Sequence, residues 1–81
     1  MTDEEWMLQA IGLAGKAEQQ GEVPVGAVVV LGDRVLARDG NRVRQLCDPT
    51  AHAEVQVIRA ACRSLGSERL VGADLYVTLE P

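Results

Sequence analysis

One histidine stands in this sequence, His52, and a carboxylate follows it two residues later at Glu54. Both lie in the run Asp48-Pro49-Thr50-Ala51-His52-Ala53-Glu54, where a helical pattern begins. Backbone N–H groups in a first helical turn favour negative charge. A metal-binding imidazole beside a non-ligating carboxylate is the pair that water activation needs. The metal lowers the pKa of water, and the carboxylate moves the proton. Alone, His-x-Glu is a weak signal, and a solitary histidine near a helix start is more often structural or solvated. The surroundings sharpen it. The run follows a predicted strand hairpin, and a strand ending Thr78-Leu79-Glu80-Pro81 comes after it. The polar loop ahead of it holds Asn41, Arg42, Arg44, Gln45 and Asp48, and such loops are common seats of function. Asn41 fits a functional role there, but it would also fit a left-handed turn after Gly40. Val25 reads as core as readily as pocket.

The elements that must position these residues follow from spacing. Thr2 and Glu5 form a capping-box pattern. Met7, Ala10, Ile11, Ala14 and Ala17 then mark one face of a helix from about Asp3 to about Gln20, stopped by Gly21. Gly12 and Gly15 weaken that helix or admit a close neighbour. Val25 to Leu31 is apolar on both alternating faces, the pattern of a central strand covered on both sides. Gly32-Asp33 is a two-residue turn, and Arg34 to Asp39 returns as an edge strand guarded by arginines. Thr50 is expected to cap a second helix that Gly66 ends. On it, Ile58, Ala61, Cys62 and Leu65 share a face with Glu54. A carboxylate on a core-facing stripe is costly unless paired, or its pKa rises. Asp74 to Leu79 is a third strand, reached by a strand–helix–strand crossover. The sum is an α/β unit with a three-stranded mixed sheet and two helices. The outer edge of the third strand is left unpaired.

Eighty-one residues allow one domain. The apolar fraction, 47%, supplies a core, but aromatics are limited to Trp6 and Tyr76. The core is therefore built from Val, Leu, Ile and Ala. No run of apolar residues is long enough to span a membrane, and the acidic start Thr2-Asp3-Glu4-Glu5 lacks a signal-peptide pattern. Cys47 and Cys62 do not form a disulfide framework and read as free thiols of a reducing cytoplasm. A net charge of −4 argues against nucleic acid as a partner. Its distribution tempers this, because Arg34, Arg38, Arg42 and Arg44 cluster, followed by Arg59, Arg63 and Arg69, while acids crowd the first five residues.

Four blocks in order carry a resemblance: Glu22 to Val28, Gly40-Asn41-Arg42, Asp48 to Glu54, and Leu75 to Pro81. Together they resemble the N-terminal half of the zinc-dependent nucleoside and base deaminases, the cytidine deaminase-like superfamily. Within it the chain looks most like the bacterial tRNA adenosine deaminases, which convert a wobble adenosine to inosine. The resemblance implies α/β/α layers, a Zn2+ cofactor, a tRNA anticodon loop or a small nucleobase as substrate, and a homodimer. It implies His52 as a zinc ligand and Glu54 as the general acid/base. It further implies Asn41 and the Ala53 backbone N–H as contacts to the base, with Pro24 and Val25 lining the pocket. The family's other two zinc ligands are cysteines directly after the proline that Pro81 matches. Residues 1–81 are thus expected to be the portion of one deaminase domain that precedes the Cys-x-x-Cys motif, with little activity by themselves. Cys62 does not substitute for those ligands, since ten residues of helix carry it about 15 Å from His52.

Two other readings stand beside this one. One is a guanine or cytosine deaminase of the same superfamily; guanine deaminases share a very similar Thr-Ala-His-Ala-Glu block. A truncated, inactive domain that binds a partner through its open third strand belongs to a different class. Zinc content separates the last from the enzymes.

Overall fold

The computed structural model describes residues 1–78; Leu79, Glu80 and Pro81, the end of the last block above, lie outside the described residues. The elements are α1 (Asp3–Gln19), β1 (Gly26–Leu31), β2 (Arg34–Gly40), α2 (Ala53–Leu65) and β3 (Ala73–Val77). No helix among the described residues is long and apolar enough to cross a membrane.

β1 is the centre of the sheet, with order β2-β1-β3. Because successive side chains of a strand face opposite ways, β1 feeds two cores. Ala27 and Val29 pack with Ala53, Val57 and Ala61 of α2, while Val28 and Val30 pack with Trp6 and Ala10 of α1. The helices therefore cover opposite faces, giving the expected α/β/α layering. Val28, Val29, Val30 and Val57 are fully buried, each worth roughly 1.5–3 kcal/mol of apolar burial. Gly32, at φ 63°, makes the β1–β2 turn.

Both strand pairings are antiparallel, so the sheet is not mixed. The crossover through α2 does join two strands of the same sense, β2 and β3, but it passes over β1 and they are not neighbours.

The capping box at Thr2 and Glu5 is present. The buried face of α1 is Trp6, Ala10, Ala14 and Ala17, while Ile11 is 53% exposed. The helix is turned so that its largest apolar side chain enters the core. Its alanines rest on a bare patch of sheet made by Gly26 and Gly40, which are register partners. A Cβ on Gly26 would lie 2.7 Å from the Ala14 nitrogen, and one on Gly40 would lie 2.9 Å from Ala17 Cβ. The close approach that is one of the two readings of Gly12 and Gly15 occurs here instead; nothing lies within 4 Å of a Cβ at either of those two.

α2 begins two residues later than expected, with His52 rather than Thr50 at the N-cap. Thr50 is engaged elsewhere: its N–H and hydroxyl both donate to Asp48 Oδ1, at 2.8 and 2.7 Å. The sheet-facing stripe of α2 is Ala53, Val57 and Ala61. Ile58 and Leu65 are 40% and 37% exposed, and Glu54 is half-buried at the flank. Gly66 closes the helix in the left-handed region at φ 68°, where its N–H reaches Arg63 and that of Ser67 reaches the Cys62 carbonyl.

Candidate active site

The loop from 41 to 52 brings the chemistry to the end of the sheet. It is folded on itself. Arg42 N–H donates to the Ala51 carbonyl at 2.9 Å, Leu46 N–H to Arg42 and Asp48 N–H to Val43. At its start, Arg42 Nε donates to both oxygens of Asp39, at 2.9 and 2.7 Å. That pairing raises the pKa of the guanidinium and ties the loop to β2. At its end, the two hydrogen bonds from Thr50 hold Asp48 below the usual carboxylate range.

Asn41 is the pivot. It is 4% exposed, and its Oδ1 accepts the Ala53 N–H at 2.7 Å. Only the amide oxygen can accept from an N–H, so the orientation of the group is fixed by chemistry. The bond satisfies a free amide of the α2 N-terminus that the His52 side chain, despite its N-cap position, leaves alone. Asn41 does not occupy the left-handed turn open to it after Gly40; among the described residues the non-glycine position at positive φ is Cys47. Its amide NH2 has no partner among the described residues.

A cleft of about 450 Å³ opens beside this pivot. Val23 and Val25 form one wall, Leu75, Val77 and Thr78 of the β3 end form another, and Asn41, His52 and Glu54 face in from the loop and helix. Four of the positions expected to act together thus line one cavity: Val25, Asn41, His52 and Glu54. Val25 is both pocket and core, since it also packs against the cluster under α2. Ala53 stands apart. It is fully buried, and the N–H expected to contact a base is already committed to Asn41. Pro24 is not part of the lining. The residues that sequence reasoning missed are Val23, Leu75, Val77 and Thr78. The alternation of β3 was the available signal, because Leu75 and Val77 pair with Val29 and Ala27 on the α2 side. Thr78 is fixed there by its N–H to the Gly26 carbonyl and by accepting the Gly26 N–H at its Oγ1, both 3.0 Å.

The donor chemistry fits part of a zinc site. His52 is exposed on the cleft, and its imidazole has no hydrogen-bond partner among the described residues, so a ring nitrogen is free for a metal. Glu54 is beside it, with no hydrogen-bond or ion-pair partner for its side chain among the described residues. Among the described residues no three His, Cys, Asp or Glu side chains converge. Cys47 is exposed, with its thiol on the Arg44 carbonyl, and Cys62 is on the far turns of α2.

The profile of the cytidine and deoxycytidylate deaminase zinc-binding region matches residues 1–81. The chain belongs to this zinc-binding deaminase family. It is 62% identical over 76 residues to the tRNA-specific adenosine deaminase of Agrobacterium fabrum, covering 94% of this chain and 50% of the relative. It is 52% identical over 79 residues to that of Bacillus subtilis, covering 98% and 49%. A structure from a study of A-to-I editing by tRNA:A34 deaminases at the wobble position superposes with a TM-score of 0.91 at 60% identity, over 96% of this chain and 60% of the other. The guanine deaminase of Bacillus subtilis superposes with a TM-score of 0.94 at 40% identity, over 100% and 52%. The chain spans about half the length of the curated relatives it matches, as expected for the N-terminal half of such a domain.

Proposed function

We propose that this chain is the base-binding and proton-transfer half of a zinc-dependent enzyme that hydrolyses adenosine to inosine at the wobble position of tRNA. The observation that carries the reading is the convergence of Asn41, His52 and Glu54 on one apolar-walled cleft. High identity to tRNA adenosine deaminases over that region supports the substrate class.

His52 supplies one zinc ligand. Zinc, when bound, supplies Lewis acidity that makes water nucleophilic near neutral pH. Glu54 takes the proton from the attacking water and delivers it to the purine ring nitrogen. It then carries the second proton to the departing amine, so that water and adenosine become inosine and ammonia. The free NH2 of Asn41 donates to an acceptor on the base edge, which aligns the ring. Val23, Val25, Leu75 and Val77 exclude water from the ring faces. The same reading implies a cytoplasmic homodimer. A free-base reading has its own support in the superposition on a guanine deaminase.

The test is a chimera that joins residues 1–81 to the second half of the Agrobacterium fabrum relative. It is expected to bind about one zinc per chain and to form inosine in an adenosine-containing anticodon stem-loop. His52→Ala should lose zinc and activity together. Glu54→Gln should keep zinc and lose about 10²–10⁴-fold in kcat, the usual worth of a general acid/base. Conversion of guanine but not of the stem-loop would replace this reading with the free-base one. A folded, zinc-loaded chimera that acts on neither would favour an inactive binding domain.

A further inference from the structure

Glu22 lies just beyond α1 and is 5% exposed. Its Oε1 accepts the Arg44 N–H at 3.0 Å, and its Oε2 accepts the Gln45 N–H at 2.8 Å. The Arg44 guanidinium donates back to the Gly21 carbonyl at 3.2 Å. Hydrogen bonds to an ionised carboxylate are roughly twice as strong as neutral ones. Two successive amides on one carboxylate fix both the position and the direction of the loop. Among the described residues Glu22 forms no ion pair. A carboxylate buried to this degree is costly unless hydrogen-bonded, so the two loop amides are what hold it there.

The placement matters because the segment that carries Glu22 also forms a wall of the cleft. Val23 and Val25 line it, and the Val25 carbonyl accepts the Asn41 N–H at 3.1 Å. Wall and loop are therefore clamped twice, at Glu22 with residues 44 and 45 and at Val25 with Asn41. Asn41 in turn holds the first amide of α2, the helix that presents His52 and Glu54.

We propose that Glu22 is a positioning residue for the deamination assigned above. Its carboxylate sets the 41–50 loop so that Asn41 reaches Ala53 with its oxygen while the side chain lines the cleft. Glu22 touches no reacting atom; it acts through Asn41. The inference rests on the function proposed for the cleft. Glutamine is a sharp probe, because it keeps the volume but offers one acceptor oxygen and turns an NH2 toward the second amide.

In the chimera, Glu22→Gln is expected to lower kcat/KM on the stem-loop about 10–100-fold, the scale of a small misplacement of a substrate-orienting group, with zinc content unchanged. In an Asn41→Ala background the same change should cost less than about twofold, because residues acting through one another are not additive. Hydrogen exchange at the Gln45 and Ala53 amides should rise together, at least about tenfold. Full additivity, or unchanged kcat/KM in the folded Glu22→Gln protein, overturns the proposal. If the unaltered chimera forms no inosine, the functional reading fails, and the exchange rates decide the positioning role alone. Faster exchange at Ala53 supports it, and unchanged exchange overturns it. Should Glu22→Gln not fold, Glu22→Asp gives the same readouts. It keeps both acceptors on a shorter stem, with smaller losses expected in the same direction.

Discussion

Asn41 holds the α2 N-terminus in this structure and has a second job, donating to the base, in the proposed function; two substitutions probe them. Asn41→Ala removes the acceptor of the Ala53 N–H, a 2.7 Å bond between groups that are 4% and 0% exposed. A buried amide left without a partner costs about 1–3 kcal/mol. Asn41→Asp keeps an oxygen at the same distance and adds negative charge at the start of α2, where it gains about 0.3–1 kcal/mol. The expected gap between the two variants is about 2 kcal/mol, or about 4–8 °C in melting midpoint for a chimera of about 150 residues. Circular dichroism melts of both variants at neutral pH measure it. Activity should fall in both, since neither retains the NH2 donor. Equal midpoints, within about 1 °C, would refute the reasoning, because Asn41 would then not be the partner on which the α2 N-terminus depends.

The bare patch under α1 predicts that Gly26→Ala is severely destabilising, by about 3 kcal/mol or more, because its Cβ meets backbone that has nowhere to go. Gly15→Ala has open space and a helical backbone, and should stabilise by about 0.5–1 kcal/mol in the same melts. The Tyr76 hydroxyl donates to Asp3 Oδ1, and this bond is the main cause that pushes its pKa up to about 12. A folded-state pKa above the unfolded value near 10 stabilises fully below that value, and the contribution is lost as pH rises through about 12. Urea midpoints compared across that window should fall with pH in the unaltered protein and lose this part of the fall in Tyr76→Phe.

Much of the fold was legible because the signals were local. Thr2 and Glu5 announce a helix start, Gly32-Asp33 a tight turn, Gly66 a helix end, and the apolar run before Leu31 a strand covered on both faces. Each of those signals depends on residues within one turn or one hairpin of each other. The face of α1 was misjudged because periodicity counts apolar residues without their size or their partner. Trp6 outweighs Ile11 once the sheet is there to receive it. Of the two readings of Gly12 and Gly15, a weakened helix or a close approach, the second is not met; the close contact is made by Gly26 and Gly40, which become neighbours only when β1 and β2 pair in register.

The site shows the same division at higher stakes. His52 and Glu54 could be read from spacing, since a helix start puts both on one turn. Asn41 could be selected only through the blocks around it, because a turn asparagine and a substrate-holding asparagine look alike in sequence. In the structure its amide oxygen goes to Ala53 and the side chain lines the cleft, a placement that the proposed role requires. The partnership also explains why the Ala53 N–H is not free. The first amide of the helix that carries His52 and Glu54 is held by neither of those side chains. Asn41 takes that bond from twelve residues away, which keeps the imidazole and the carboxylate available for chemistry.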